Sequence, residues 1–312
     1  MLALFFVPFG FLVSGSVESF GIYLLLWVLM GFGTAGIGVN IMHDANHQSL
    51  SRKKWVNRLA GWVMNLLGGD ATIWRIQHNV LHHSFTNIHE HDEDIIGPPL
   101  LRFSPHDRYK KVHRYQYIYA WFLYGLMTII KVAYTDYKRA LSYYKMGHIK
   151  TKKEFRLRIW KISLGKIVYL SYILFLQMII APHWSWVIIG FFTMHFLTGF
   201  LLSIIFQTAH VVPSSSYPLP VEGKIENNWA VHQLLTTSNF SPRSNWFSWL
   251  IGGLNYQVEH HLFAHINHLH YPQIAAIVSE TAKEFNIPYH CQPTFWSALR
   301  AHGKMLYQLG RN

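Results

Sequence analysis

Long apolar blocks, separated by strongly basic ones, dominate the pattern of this chain. A helix needs about 20 mostly apolar residues to cross a bilayer, and four blocks come near that length. Residues 20–39 are uncharged and rich in Leu and Gly. Residues 186–206 form the strongest block, with Pro182, Trp184 and Trp186 at the turn before it, as in an interfacial aromatic belt. Residues 167–181 follow a basic flank and are interrupted by Ser171 and Gln177. Residues 2–13 are apolar but short. They lack the basic flank and cleavage site of a signal peptide and are expected to form a shortened first span. A fifth block, residues 118–132, is bordered or interrupted by Tyr117, Tyr119, Tyr124 and Tyr134 and reaches Lys131. It is expected to lie at the interface without crossing.

Charge orients these spans. Residues 1–51 contain no Lys or Arg, residues 52–166 contain 21 of the 27, and the remaining six follow Phe206. The short connections 14–19 and 182–185 carry none. By the positive-inside rule, residues 40–166 and 207–312 are expected on the cytoplasmic side. The expected architecture is all-α: one domain over residues 1–312, a polytopic membrane protein with about four transmembrane helices and a helical cytoplasmic cap.

Composition adds that a large part of the chain meets water. Hydrophobic residues make up 51% and charged residues 13%, against about 25% charged in soluble domains, yet the mean hydropathy is only +0.13. A single cysteine, Cys291, excludes a disulfide scaffold. The net charge of +12 comes without any nucleic-acid-binding motif. Two basic clusters, Arg52, Lys53, Lys54 and Arg58, and Lys150, Lys152, Lys153, Arg156 and Arg158, suit anionic headgroups, at about 1 kcal/mol per cation. They equally suit an acyl-CoA phosphate or an acidic electron donor.

Histidine is the unusual residue, with 21 in 312. His43 and His47 form an H-x-x-x-H pair, His78, His82 and His83 an H-x-x-x-H-H run, and His260 and His261 close a segment headed by Gln257. His210 follows the last span, one turn after Gln207. On a helix, positions i and i+4 share a face, so paired imidazoles can turn toward one ion. Any one pair could arise by chance in a chain this rich in His. Together, all eight fall on one expected side of the membrane. Eight imidazoles exceed the needs of one ion and point to two. Zinc favours four ligands, often with cysteine, so a nitrogen-rich site with open positions for O2 fits non-haem iron better. Asp44 and Glu259, inside the boxes, are expected to orient imidazoles ahead of Asp92, Glu93 and Asp94. His232 and His268 are further candidates for ligation or support. His195, mid-span, is expected to be a hydrogen-bonded packing residue, and His89, His91, His106, His113 and His148 to face solvent.

In order and spacing, these boxes resemble the membrane fatty acid desaturase family, over residues 31–271. Gln257 heading the third box, and His268-Leu269-His270-Tyr271-Pro272 after it, resemble the front-end branch. Residues 229–240 are similar to bacterial members that desaturate linoleoyl-CoA. The resemblance implies an O2-dependent diiron desaturase of a fatty acyl chain, acyl-CoA or phospholipid, in a bacterial inner membrane. It implies metal ligands at His43, His47, His78, His82, His83, His210, His260 and His261. Gln257 stands where the other branch has histidine, and is expected to ligate weakly, hold a water or orient a neighbour. No His-Pro-Gly-Gly haem motif occurs, so a separate ferredoxin or cytochrome b5-type protein is the expected electron donor. A hydroxylase on the same scaffold is the nearest alternative. A histidine-rich metal transporter is another, although it would place its ligands at the bilayer midplane.

Overall fold

The apolar blocks fold as helices that run past the limits their hydropathy suggests. The computed structural model describes residues 1–311. Three helical runs are long and apolar enough to span a membrane: Phe20–Asn46, Lys152–Ile180 and Trp184–His210. Lys111–Gly125 and Met127–Lys145, which include the block expected at the interface, meet at a 58° bend and pass the same test as a pair. Leu2–Val13 is a 12-residue helix, shorter than a span requires. Local chemistry extends the runs. The run Lys152–Ile180 starts where the Thr151 hydroxyl accepts from Glu154 N at 3.1 Å, so its basic first turns are helical too. Four stretches are π-helical, Ile37–Met42, Ile76–His82, Lys131–Thr135 and Ser171–Phe175. The only strands among the described residues, Ser238–Phe240 and His290–Gln292, pair in parallel.

The chain packs as two compact units. Unit 1 comprises residues 1–46, 58–74 and 122–203. Its apolar core gathers Phe5, Leu12, Tyr23, Trp27, Met30, Tyr169, Ile173, Val187, Phe191 and Met194. Glycine permits the closest contact: a Cβ on Gly33 would come within 2.7 Å of the Leu4 and Phe5 backbone. Polar groups inside this unit satisfy one another. Lys166 Nζ donates to Asp136 Oδ2 at 2.9 Å, to Gly68 O at 3.0 Å and to Lys131 O at 3.1 Å, while Lys131 Nζ lies 3.0 Å from Asp136 Oδ1. His195 has the packing role expected of it. Tyr169 OH donates to its Nε2 at 2.8 Å, and its Nδ1 donates to Thr128 Oγ1 at 3.1 Å.

Unit 2 comprises residues 47–57, 75–121 and 204 onward. Helix Tyr271–Glu284, with Pro272 in its first turn, packs Val278 and Ala282 against Leu234 and Val258. Helix Phe295–Leu309 is capped by Thr294 and Ser297. Arg102 donates to Leu309 O at 2.7 Å and Gln116 to Leu306 O at 2.9 Å, so buried polar side chains tie this last helix to residues 99–116. His113, expected at the surface, is buried instead. Its Nδ1 accepts from Lys110 N at 3.1 Å and its Nε2 donates to Pro99 O at 3.2 Å. A ring with both nitrogens bonded is stable away from water, and sequence pattern does not reveal those partners.

Candidate metal centre

Each histidine box lies on a short helical segment that aims its rings inward. His43 begins the helical turn His43–Asn46 that ends the first part of unit 1. It is buried, edge-on to Trp74 with ring centroids 5.7 Å apart, and its Nδ1 lies 3.8 Å from Asp44 Oδ1. His47, one turn on in the chain, opens unit 2. The second box lies on the π-helical Ile76–His82 and runs directly into helix His83–Phe85. A π-turn is one residue wider than an α-turn, so positions five apart can face each other. His78 Nε2 and His83 Nε2 accordingly stand 3.3 Å apart. The third box is the buried helix Gln257–Leu262, and His210 ends the helix Trp184–His210.

Within unit 2 these rings form two groups. Ligand atoms of His47, His78 and His260 all lie within 4.8 Å of one another, and so do those of His82, His210 and His261. His83 stands between them, with ring centroids 4.8 Å from His47, 4.7 Å from His260 and 4.4 Å from His261. All seven are buried. The outer nitrogens of most rings are tied to acceptors. Asp92 Oδ1 lies 2.9 Å from His82 Nδ1, and Asp94 Oδ2 lies 3.2 Å from His78 Nδ1. Gln233 Oε1 lies 2.9 Å from His261 Nδ1, Thr236 O lies 3.4 Å from His210 Nδ1, and Tyr271 OH lies 3.3 Å from His260 Nδ1. The inner Nε2 atom of His261 has no hydrogen-bond partner in the structure. A buried polar atom in that state costs about 1–3 kcal/mol, so the cluster suits a ligand that accepts nitrogen lone pairs.

Electrostatics agree. Burial, reinforced by the surrounding imidazoles, holds the pKa of His83 and of His261 well below the usual histidine value. Both rings are therefore neutral at neutral pH, the form that ligates metal. Burial pulls His82 the same way, but the carboxylates of Asp92 and Asp94 outweigh it and raise its pKa to about 9. Such a carboxylate partner makes an imidazole a stronger donor to a metal.

The remaining residues singled out by sequence sort as follows. Asp92 and Asp94 reach imidazoles, whereas Glu259 bonds elsewhere: Asn239 Nδ2 and Tyr289 OH donate to it at 2.7 and 2.9 Å, and burial raises its pKa. Asp92 and Asp94 thus stand where Glu259 was expected, while Asp44 keeps its place beside His43. His232 Nε2 donates to Thr86 O at 2.8 Å. Gln207 Nε2 donates to Asp94 O at 3.3 Å. Gln257 is buried with an amide nitrogen that has no hydrogen-bond partner. His268 packs on Gly253, where an added Cβ would approach its own Cβ to 2.7 Å. Sequence reasoning passed over Gln233, Thr236 and Tyr271. A signal existed for the first two: helix Trp229–Thr236 buries His232, Gln233 and Thr236 on one face, and polar residues on a buried helix face need partners. A cleft of about 380 Å³ opens over the centre, lined by His47, His83 and His261 together with Asn79, Trp229, Leu262 and Ala264.

Apolar helices of spanning length and buried imidazoles grouped to hold metal define the class: a helical membrane protein with a polyhistidine metal centre. The family model described as fatty acid desaturase matches residues 19–293, and the chain belongs to that family of oxidoreductases. It is 38% identical over 294 residues to an acyl-lipid (8-3)-desaturase of Physcomitrium patens, covering 93% of this chain and 60% of the moss protein. It is 35% identical to an sn-1 linoleoyl-lipid 6-desaturase of Arthrospira platensis, with 93% and 78% covered. A protein of the same description from Synechocystis sp. is 32% identical, with 94% and 82% covered. The chain thus spans less than two thirds of the moss relative's length.

Proposed function

We propose that this chain is an O2-dependent diiron desaturase that places a double bond in an acyl chain carried by membrane lipid. Residues 1–312 act in this reading as one desaturase domain. The observation that carries it is the pair of imidazole groups bridged by His83, with the inner nitrogen of His261 left open and outer nitrogens tied down. His47, His78 and His260 hold one iron. His82, His210 and His261 hold the other, and His83 stands by both. A donor set of neutral nitrogens without thiolate fits iron that must bind O2. Relatives named for acyl-lipid and linoleoyl-lipid substrates favour esterified lipid over acyl-CoA.

When bound, the metal pair supplies the oxidising power from O2 that cleavage of unactivated C–H bonds requires. The balance is simple. Two hydrogens from adjacent methylenes, with two electrons and two protons from outside, reduce O2 to two waters. The protein's part is positional. Trp229, Leu262 and Ala264 give the cleft an apolar wall for the chain, beside His47, His83 and His261. Asp92 and Asp94 hold the rings of His82 and His78 in orientation. The Trp229 indole donates to His83 O at 3.2 Å, linking the wall to the central imidazole. Electrons arrive from a ferredoxin or cytochrome b5-type carrier. The distribution of Lys and Arg supports a metal centre on the cytoplasmic side of a multi-pass protein. Expression in a host of known lipid profile, followed by mass-spectrometric location of new double bonds, tests the function. An alkene without added oxygen is expected; an alcohol would replace the reading with hydroxylation.

A further inference from the structure

The acceptors behind the imidazoles differ in kind, and the difference singles out one residue. His82 and His78 face carboxylates, whereas His261 faces the side-chain amide of Gln233. We propose that Gln233 is a positioning residue that holds His261 as its Nδ1–H tautomer and so presents the Nε2 lone pair to the metal. The inference rests on the diiron reading above.

A neutral imidazole carries one N–H, and the partner of one nitrogen decides the state of the other. An amide oxygen can only accept. His261 Nδ1 faces Gln233 Oε1 at 2.9 Å and, at 3.2 Å, the oxygen of the Thr86 hydroxyl, whose proton goes to His82 O; Nδ1 therefore donates, and its buried Nε2, which has no hydrogen-bond partner, is left as a lone pair. The oxygen is held in place from several sides. Thr86 Oγ1 lies 2.9 Å from Gln233 Oε1 and 2.8 Å from His82 O, and Thr86 O accepts from His232 Nε2 at 2.8 Å. Helix Trp229–Thr236 is in turn capped by Asn228, whose side chain accepts from Val231 N at 3.0 Å. Gln233 is fully buried, so no water can replace its oxygen. The amide is also uncharged. It orients His261 without the added basicity that Asp92 lends His82, so the two ligands of one group differ in donor strength.

Two variants test this in the purified full-length protein, by iron content, iron affinity and the optical and Mössbauer spectra of the iron-loaded form. Gln233→Leu keeps the volume and removes the acceptor. It is expected to weaken one of the two iron sites about 10–100-fold, the usual cost of losing a partner behind a ligand, and to perturb one iron signal. Gln233→Glu keeps an acceptor and adds charge. It is expected to retain both irons while shifting the signal of one. Two irons with unchanged affinity and spectrum in Gln233→Leu would overturn the proposal alone. Should that variant not fold, an unchanged spectrum in Gln233→Glu does the same. A wild-type protein that binds no iron overturns the diiron reading itself, and this proposal with it.

Discussion

Unit 1 and unit 2 each bury a polar cluster, and the two are built on opposite principles. In unit 1, Lys166 spends its donors on Asp136, Gly68 and Lys131, and Asp136 is paired on both oxygens. One carboxylate is shared by two ammonium groups, and nothing further is asked of the site. In unit 2, imidazoles crowd together, and an inner nitrogen such as that of His261 stays open. A closed cluster serves stability. An open one costs stability until something binds it, which is how a binding centre is recognised without its ligand.

The comparison breaks most sharply at His261. Replacement by Ala is expected to abolish new double bonds and lower iron content, measured by lipid analysis and elemental analysis of the same preparation. Retained product would remove the open cluster from the chemistry. Next in size, Asp136→Ala strands Lys166 and is expected to cost about 3–5 kcal/mol of stability, read as a lower unfolding midpoint. Iron per folded chain is expected to hold, and its loss would mean that the closed cluster also serves the metal. Asp92→Asn should weaken iron binding or activity about 10–100-fold, well short of the loss in His261→Ala. An effect as large would make Asp92 more than an orienting group. The smallest change is His195→Phe, which removes the bond from Tyr169 and is expected to cost about 1 kcal/mol with iron content unchanged.

How much of this was legible in the chain depends on the range of the interaction. The helical blocks and the boxes could be read because hydropathy and i,i+4 spacing act over one or a few turns. The exchange of Glu259 for Asp92 and Asp94 could not. Asp92 and Asp94 lie in an irregular loop, where no spacing rule says which side chain turns back onto His82 or His78. Glu259, adjacent to His260, is drawn away by Asn239 and Tyr289. His113 was misplaced for the same reason, since Pro99 and Lys110 satisfy it only in the folded loop.

Sequence alone determined the membrane-spanning character, the segregation of charge and the identity of the histidines, because transfer free energy and ligand chemistry belong to side-chain types. The fold decided which histidines share a centre, which nitrogen of each ring is open and what stands behind it. The π-turn at Ile76–His82 shows why: one residue of extra winding turns His78 toward His83, and packing sets that winding.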